Sequence, residues 1–319
     1  MLTLLGHVDP MWFSVFVFAF GAFVGSFLNV CIYRIPRGES IVFPRSRCRA
    51  CQTGIRPYDN IPLLSYLVLR GRCRRCGEPI SPQYPLIELV TALLALFLFR
   101  RFGATVELLG YFAFSAALIV ISGIDIGHRI IPDQISLPGI GAGLIFSLIS
   151  PHLGVTDSVV GMVTGGGSLL VVTVGYMGYV KLRERLKGVG HQEETERALQ
   201  GMTLEELKKE AALYGVAVTD LENRKAIVEA IGEAKKEGMG GGDIKLLAMI
   251  GAFLGGWRSV LFVILVGSFL GCVVGVPLMV SKGRDSKYAI PFGPFLAAGA
   301  LIYLLRGAEI IRWYFSLGR

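Results

Sequence analysis

The stretch from Met11 to Tyr33 reads MWFSVFVFAFGAFVGSFLNVCIY, 23 residues without a charged side chain. A helix crosses the hydrocarbon core of a bilayer with about 20 mostly apolar residues, so this stretch is long enough to span a membrane. The apolar region of a secretory signal peptide is only about 7–15 residues long, and its basic residues precede it rather than follow it. We therefore predict a retained membrane span whose N-terminus lies outside the cytosol.

Seven further apolar stretches follow, and the composition of the chain agrees with a protein that is largely embedded in lipid. The mean hydropathy is +0.58, and 18% of the residues are charged, whereas soluble domains contain about 25%. We predict an all-α polytopic membrane protein of about eight transmembrane helices. Their expected positions are 11–33, 84–100, 106–124, 134–150, 156–181, 244–256, 259–280 and 289–306.

Basic residues are concentrated in the loops that this topology leaves in the cytosol. Residues 34–82 contain ten arginines and three acidic residues. The positive-inside rule assigns such a loop to the cytosol. The net charge of +8 therefore follows from membrane topology, and we expect membrane lipid around the protein and no nucleic acid among its partners.

Two cysteine pairs lie in this first loop, Cys48-x-x-Cys51 and Cys73-x-x-Cys76, and 21 residues separate them. Thiols in the cytosol stay reduced, which favours a metal site over disulfides. Pairs at this spacing bind zinc tetrahedrally through four thiolates, and such a site is structural because it leaves no open coordination position. We predict a small cytosolic zinc-binding loop domain over 34–83, in which Gly54 and Gly77 suit tight turns.

The rest of the chain divides at a polar segment. Within that segment, Thr203-Leu-Glu-Glu206 is a capping-box start for a helix, Gly215 is a stop signal, and a second helix is expected from about Asn223 to Lys236. We interpret it as a helical hairpin that serves as a spacer or regulatory insert. The predicted segments are therefore the first transmembrane helix over 1–33, helices 2–5 over 84–182, the cytosolic insert over 183–239 and helices 6–8 over 240–319.

Two single aspartates, Asp125 and Asp243, lie at the predicted cytosolic edges of the third and sixth spans. An ionisable residue at membrane depth is a functional candidate by default. Each also has an ordinary interpretation: Asp243 as the N-cap of a helix, and Asp125 as an interfacial carboxylate paired with Arg129 or His128. Together they favour a shared site, because both acids are expected at the same depth and Asp243 follows three glycines, which let backbone approach a substrate closely. Two carboxylates in one site would divide the roles of base and acid as in aspartic proteases.

Five stretches along the chain form one combined pattern: Gly25–Pro36, the four-cysteine loop, Tyr84–Leu89, Asp125–Asp133 and Gly240-x-Gly242-Asp243-x-Lys245-Leu246. This combination resembles the bacterial type IV prepilin peptidases, which are bifunctional leader peptidases and N-methyltransferases of the GxGD type of intramembrane aspartyl protease. The resemblance runs from about residue 11 to residue 300. The insert departs from the family pattern, in which the connection between the fifth and sixth spans is usually short.

The resemblance implies an aspartyl endopeptidase that cuts type IV prepilins and pseudopilins after a glycine, at the cytosolic face of the bacterial inner membrane. These substrates carry a basic leader before an apolar helix, and they serve type IV pili and type II secretion. The resemblance further implies methylation of the new N-terminus with S-adenosylmethionine as methyl donor. The residues implied are the catalytic pair Asp125 and Asp243, the supporting residues Gly240, Gly242, Lys245 and Asp133, and Glu88 as a candidate for methyl transfer.

Two other functions remain open when only the residues are considered. The first is a membrane scaffold of a pilus or secretion machine, stabilised by the zinc site, in which Asp125 and Asp243 would only cap helix ends. In a proton-coupled transporter, Asp125 and Asp243 would form a proton relay. For the peptidase, we expect Lys245 to orient the substrate or to keep Asp243 ionised.

Overall fold

The computed structural model describes residues 10–187, 202–213, 227–228, 241–282 and 291–316. Throughout these ranges the regular secondary structure is helical, apart from two isolated β-bridges in the cysteine loop. The α-helices are α1 (Pro10–Arg34), α2 (Leu64–Val68), α3 (Gln83–Phe102), α4 (Val106–His128), α5 (Asp133–Ile149), α6 (Val155–Lys187), α7 (Leu204–Leu213), α8 (Gly241–Leu254), α9 (Gly256–Lys282) and α10 (Gly293–Ser316). The predicted all-α class is confirmed.

Every predicted span coincides with a helix. Among the described residues, four helices are long and apolar enough to cross a membrane, namely Met11–Arg37, Val106–His128, Val155–Tyr179 and Gly256–Pro277. The apolar helices Asp133–Ile149 and Gly293–Gly307 are shorter. The sixth predicted span, 244–256, ends too late. Its helix, α8, stops at Leu254, because Gly255 and Gly256 have φ values of 70° and 65° and interrupt the helix before α9.

The chain forms two compact units, and the first comprises Met1–Ile124, Leu148–His152 and Leu301–Arg319. In this unit, α1 packs closely on α3. A Cβ at Gly25 would lie 2.7 Å from Glu88 Cα, so the two backbones touch at this point. Small residues permit such close approach in lipid, where helices associate through van der Waals packing. The contact places Glu88 directly beside α1.

The second unit comprises Asp125–Ser147 and Leu153–Ala300, and its centre is the crossing of α6 and α8. A Cβ at Gly161 would overlap the carbonyl oxygen of Gly251. The Ser158 hydroxyl donates a hydrogen bond of 2.6 Å to the Ala252 carbonyl across the same crossing. Residues 246–253 of α8 are all buried. This packing holds in place the helix whose first turn contains Asp243.

The capping box predicted for the polar insert is confirmed. The Thr203 N–H donates to Glu206 Oε2 at 2.8 Å, and the Glu206 N–H donates in return to Thr203 Oγ1 at 3.4 Å. Leu207, Ala211 and Ile227 are buried together in a small apolar cluster. The predicted stop at Gly215 and most of the predicted second helix lie outside the described residues.

Candidate functional site

The four loop cysteines come together. Their sulfur atoms all lie within 4.8 Å of one another, and the Sγ atoms of Cys48 and Cys76 are 3.8 Å apart. Zinc at about 2.3 Å from four tetrahedral sulfurs separates each pair of sulfurs by about 3.8 Å. Cys48, Cys51, Cys73 and Cys76 therefore fit the predicted structural zinc site in both donor type and spacing.

The two cysteine pairs fold in the same way. In each pair the N–H of the first cysteine donates to a carbonyl beyond the turn, from Cys48 to Thr53 and from Cys73 to Glu78, both at 2.9 Å. The residue after the second cysteine adopts a positive φ, 56° at Gln52 and 74° at Gly77. Gly77 thus occupies the left-handed position of its turn, whereas Gly54 lies two residues beyond that position, in the β-bridge with Arg47 that closes the first turn.

Charged and polar side chains support this loop. Hydrogen bonds from Thr53 lower the pKa of the Cys51 thiol to about 6. At Cys76 the pKa-lowering effect of a backbone hydrogen bond is outweighed by desolvation and by hydrogen bonds with the other three cysteines, which raise the pKa. Cys51 is therefore the thiol that most readily forms the thiolate needed to bind a metal. Arg74 forms a bidentate ion pair with Asp59, with the Nη2–Oδ1 distance at 2.7 Å. Hydrogen bonding to Arg74 holds the pKa of Asp59 below its usual value. These contacts connect the second cysteine turn to the chain between the pairs.

A cavity of about 1570 Å³ lies between the cysteine loop and helices α1 and α3, and Glu88 is part of its wall. Glu88 is buried, and its Oε2 accepts a hydrogen bond of 2.8 Å from the N–H of Leu63. Leu63 has a φ of 63°, which a leucine rarely adopts and which is typical of backbone held in place at functional sites. Asn29 donates to the Tyr84 carbonyl at 3.1 Å on the same wall. The first unit therefore presents a buried carboxylate to a large cavity.

Asp125 and Asp243 are both located in the second unit. Asp125 is buried in the last turn of α4, and Asp243 lies within the first turn of α8. Ile131 lies beside both segments: a Cβ at Gly242, the residue before Asp243, would be 2.8 Å from Ile131 Cβ, and a Cβ at Gly293, next to Asp125, would be 3.5 Å from Ile131 Cδ1. Because α8 already begins at Gly241, Asp243 is inside the helix, and the interpretation of Asp243 as an N-cap is wrong.

One residue beside this pair was missed by the sequence analysis. The backbone N–H of Gly293, the first residue of α10, donates a buried hydrogen bond of 3.0 Å to Asp125 Oδ2. The available signal was Pro291-Phe-Gly-Pro294, since proline in the first turn marks the start of a helix. Nothing local in that motif indicated a carboxylate partner 168 residues away.

The supporting residues predicted around the aspartates meet each other. Lys245 Nζ lies 2.7 Å from both carboxylate oxygens of Asp133. A Cβ at Gly242 would lie 2.8 Å from Ile131 Cβ, so the loop before α5 touches the start of α8. Gly240, the remaining predicted residue, lies outside the described residues.

Known proteins match this chain over both units. The Bacterial Peptidase A24 N-terminal domain matches residues 19–102, and the Type IV leader peptidase family matches residues 112–190 and 199–276. A protein from Aeromonas hydrophila is 32% identical over 99% of this chain and 98% of its own length. The chain belongs to the type IV leader peptidase family. The family match includes Asp125 and Asp243, and the N-terminal match includes the four cysteines and Glu88.

Other relatives in the leader peptidase family are similar to the chain over much of their length. A protein from Myxococcus xanthus (strain DK1622) is 37% identical over 88% of the chain and 68% of its own length. One from Pseudomonas aeruginosa is 32% identical over 96% of the chain and 94% of its own length. These two relatives and the Aeromonas protein are each named prepilin leader peptidase/N-methyltransferase. No solved structure matches the chain.

Proposed function

We propose that this protein removes the leader peptide of type IV prepilins and pseudopilins and then methylates the new N-terminus. The observation that carries the peptidase proposal is that the chain around Asp125 and the start of α8 share one neighbour. Ile131 lies against Gly242, the residue before Asp243, and beside Gly293, whose N–H is bonded to Asp125. Asp125 and Asp243 are the only two acids that the resemblance assigned to catalysis, and they come from helices far apart in the sequence. The names of the relatives support both activities.

The aspartate pair can perform peptide hydrolysis without a covalent intermediate. One carboxylate removes a proton from water while the water oxygen attacks the peptide carbonyl, and the protonated partner gives its proton to the carbonyl oxygen. Collapse of the tetrahedral intermediate breaks the C–N bond, and the leaving amine takes up the proton that the base received. The products are the leader with a new carboxylate and the mature chain with a free amine.

The proposed substrate explains why the site is at a helix end. A basic leader followed by an apolar helix would keep its charges in the cytosol and its helix in lipid. The scissile bond would then lie at the cytosolic face of the bacterial inner membrane. Asp125 in the last turn of α4 and Asp243 in the first turn of α8 lie at ends of apolar helices, which suits a bond at that depth.

Methyl transfer is assigned to the cavity of the first unit. S-adenosylmethionine supplies the methyl group when bound, and the cavity is large enough for it together with the end of a peptide. The Glu88 carboxylate would bind the new amine and accept a proton from it, while Leu63 keeps that carboxylate in place. Cys48, Cys51, Cys73 and Cys76 would hold a structural zinc that shapes the loop over this cavity and takes no part in the chemistry.

The test is mass spectrometry of a prepilin incubated with purified protein and S-adenosylmethionine. We expect a leader-sized mass loss and an added methyl group with the unmodified protein. Asp125→Asn and Asp243→Asn should each reduce cleavage by at least about 10³-fold, whereas Asp157→Asn, an exposed residue of α6, should leave it unchanged. Normal cleavage by either of the first two variants would exclude the aspartyl mechanism.

A further inference from the structure

We propose that Gly293 is a positioning residue for the peptidase step. Its backbone N–H holds the Asp125 carboxylate, and the site leaves no room for a side chain at position 293. The inference rests on the proposed function, because it assigns Gly293 a role through Asp125. Position 293 lies outside the five stretches that carry the resemblance and beyond residue 276, where the family match ends. The hydrogen bond, the lack of space and the start of α10 all support it.

The hydrogen bond is available because of where Gly293 lies. The first N–H groups of a helix have no partner within the helix, and Gly293 is the first residue of α10. The carbonyl of Phe292 is used by the N–H groups of Phe295 and Leu296, so the turn is closed without the Gly293 N–H. Pro294 has a fixed φ that suits the first turn. The donor therefore points at Asp125 from a rigid helix start.

The space around Gly293 is filled by the carboxylate itself. A Cβ at position 293 would lie 2.7 Å from Asp125 Oδ2 and 3.3 Å from Asp125 Cγ. Approaches below 3.0 Å force atoms to move, and the aspartate side chain is short. Ile131 Cδ1 lies 3.5 Å from the same point, and Ile131 is already packed against Gly242, so the carboxylate has little room on that side.

Fixing one oxygen determines what the other can do. With Oδ2 held by Gly293, Oδ1 is the oxygen that the proposed mechanism uses for the water and for a proton shared with Asp243. Catalytic groups must be held within about 0.5 Å of their productive geometry. A methyl group at position 293 would move the carboxylate by more than that, while the substrate helix would still have its binding surface.

The first experiment compares Gly293→Ala with Gly127→Ala in a prepilin cleavage assay. Gly127 is two residues after Asp125 in the same helix turn, and a Cβ there meets nothing within 4 Å. We expect Gly293→Ala to reduce kcat by about 100-fold, the loss typical of a misplaced catalytic group, with KM unchanged. Gly127→Ala should retain wild-type kcat. A wild-type kcat for Gly293→Ala, or a loss expressed only in KM, would overturn the proposal.

The second experiment measures stability and does not depend on activity. In Asp125→Ala the carboxylate that a methyl group at 293 would strike is gone, so adding Gly293→Ala to that variant should not lower its thermal midpoint further. In the unmodified background Gly293→Ala should lower the midpoint. Equal losses in both backgrounds would show that the glycine serves only the start of α10. Wild-type cleavage by Asp125→Asn would refute the proposed function itself. A wild-type kcat for Gly293→Ala, or equal losses of stability in both backgrounds, would instead refute only the role given to Gly293.

Discussion

The ammonium group of Lys245 lies 2.7 Å from both carboxylate oxygens of Asp133. Lys245 follows Asp243 by two residues in α8, and Asp133 begins α5 shortly after Asp125. The pair therefore connects the turn that carries one catalytic candidate to the helix that follows the other. The side chains are 36% and 55% exposed, and exposed ion pairs contribute only about 0.2–1 kcal/mol. The Lys245–Asp133 ion pair therefore adds little to the free energy of unfolding, and we expect its main effect to be on the position of the first turn of α8.

This arrangement predicts a modest and shared loss of peptidase activity. Lys245→Met and Asp133→Asn should each reduce kcat/KM for prepilin cleavage by about 2- to 5-fold, because up to about 1 kcal/mol of positioning energy is lost and 1.4 kcal/mol corresponds to tenfold. The double variant should be no worse than either single one, because the pair acts as a unit. Cleavage kinetics of the three variants measure this directly.

Lys245→Arg is the matched control, since it preserves a cation opposite Asp133. It should cleave faster than Lys245→Met. A loss of about 10³-fold in Lys245→Met together with normal cleavage by Asp133→Asn would contradict the shared role. That result would instead support the sequence-based hypothesis that Lys245 acts directly on the substrate or on Asp243.

Glu88→Gln should separate the two activities. The substitution keeps the size of the side chain but removes the charge that would hold the amine, so methyl transfer should fall by about 100-fold or more. Leader cleavage, which depends on the second unit, should remain at its wild-type rate. Glu39→Gln is the control, because Glu39 also lines the cavity but is exposed. Equal methylation by both variants, measured by mass spectrometry on a pre-cleaved pilin peptide, would exclude Glu88.

Cys48→Ser should remove the metal and loosen the first unit. Structural zinc contributes directly to folding, so the variant should contain less than one zinc per chain and have a lower thermal midpoint. The rate of methyl transfer should fall more than the rate of leader cleavage, because Cys48 and Cys73 line the same cavity as Glu88. Cys272→Ser is the control, since Cys272 is an exposed residue of α9. Complete zinc loss at unchanged stability would refute the structural assignment.

The sequence predicts the helices well because hydropathy and helix formation coincide in lipid, where every backbone group must be hydrogen-bonded within the protein. It predicts helix ends less well. The third span was expected to end at Ile124, but α4 continues to His128, and α6 continues to Lys187. Backbone hydrogen bonding proceeds beyond the point where the chain ceases to be apolar, so the helix is longer than the apolar stretch.

The sites differ in how far the sequence could predict them. The cysteine cluster is built from two local turns, so spacing alone was sufficient. The aspartate pair required the family resemblance, because ordinary interpretations existed for each residue. Gly293 and the partner of Lys245 were not predictable, since the contacts join positions 168 and 112 residues apart. No periodicity in the sequence records such contacts.

The crossing of α6 and α8 provides the last prediction. Gly161 contacts the carbonyl of Gly251, and Gly165 contacts the carbonyl of Leu247. A methyl group at position 161 or 165 would therefore force α6 and α8 apart. Such overpacking costs about 1–3 kcal/mol. Gly161→Ala should therefore lower the thermal midpoint in detergent and also reduce cleavage, because α8 begins with the turn that carries Asp243.

Gly167→Ala is the control for that change. The position is in the same helix, but a Cβ there meets nothing within 4 Å. Replacing glycine by alanine in a helix interior is by itself favourable by about 0.5–1 kcal/mol, so this variant should be at least as stable as the unmodified protein and fully active. If Gly161→Ala and Gly167→Ala had the same midpoint, the close crossing would not stabilise the second unit. A lower midpoint with normal cleavage would show instead that the crossing stabilises the unit without setting the position of Asp243.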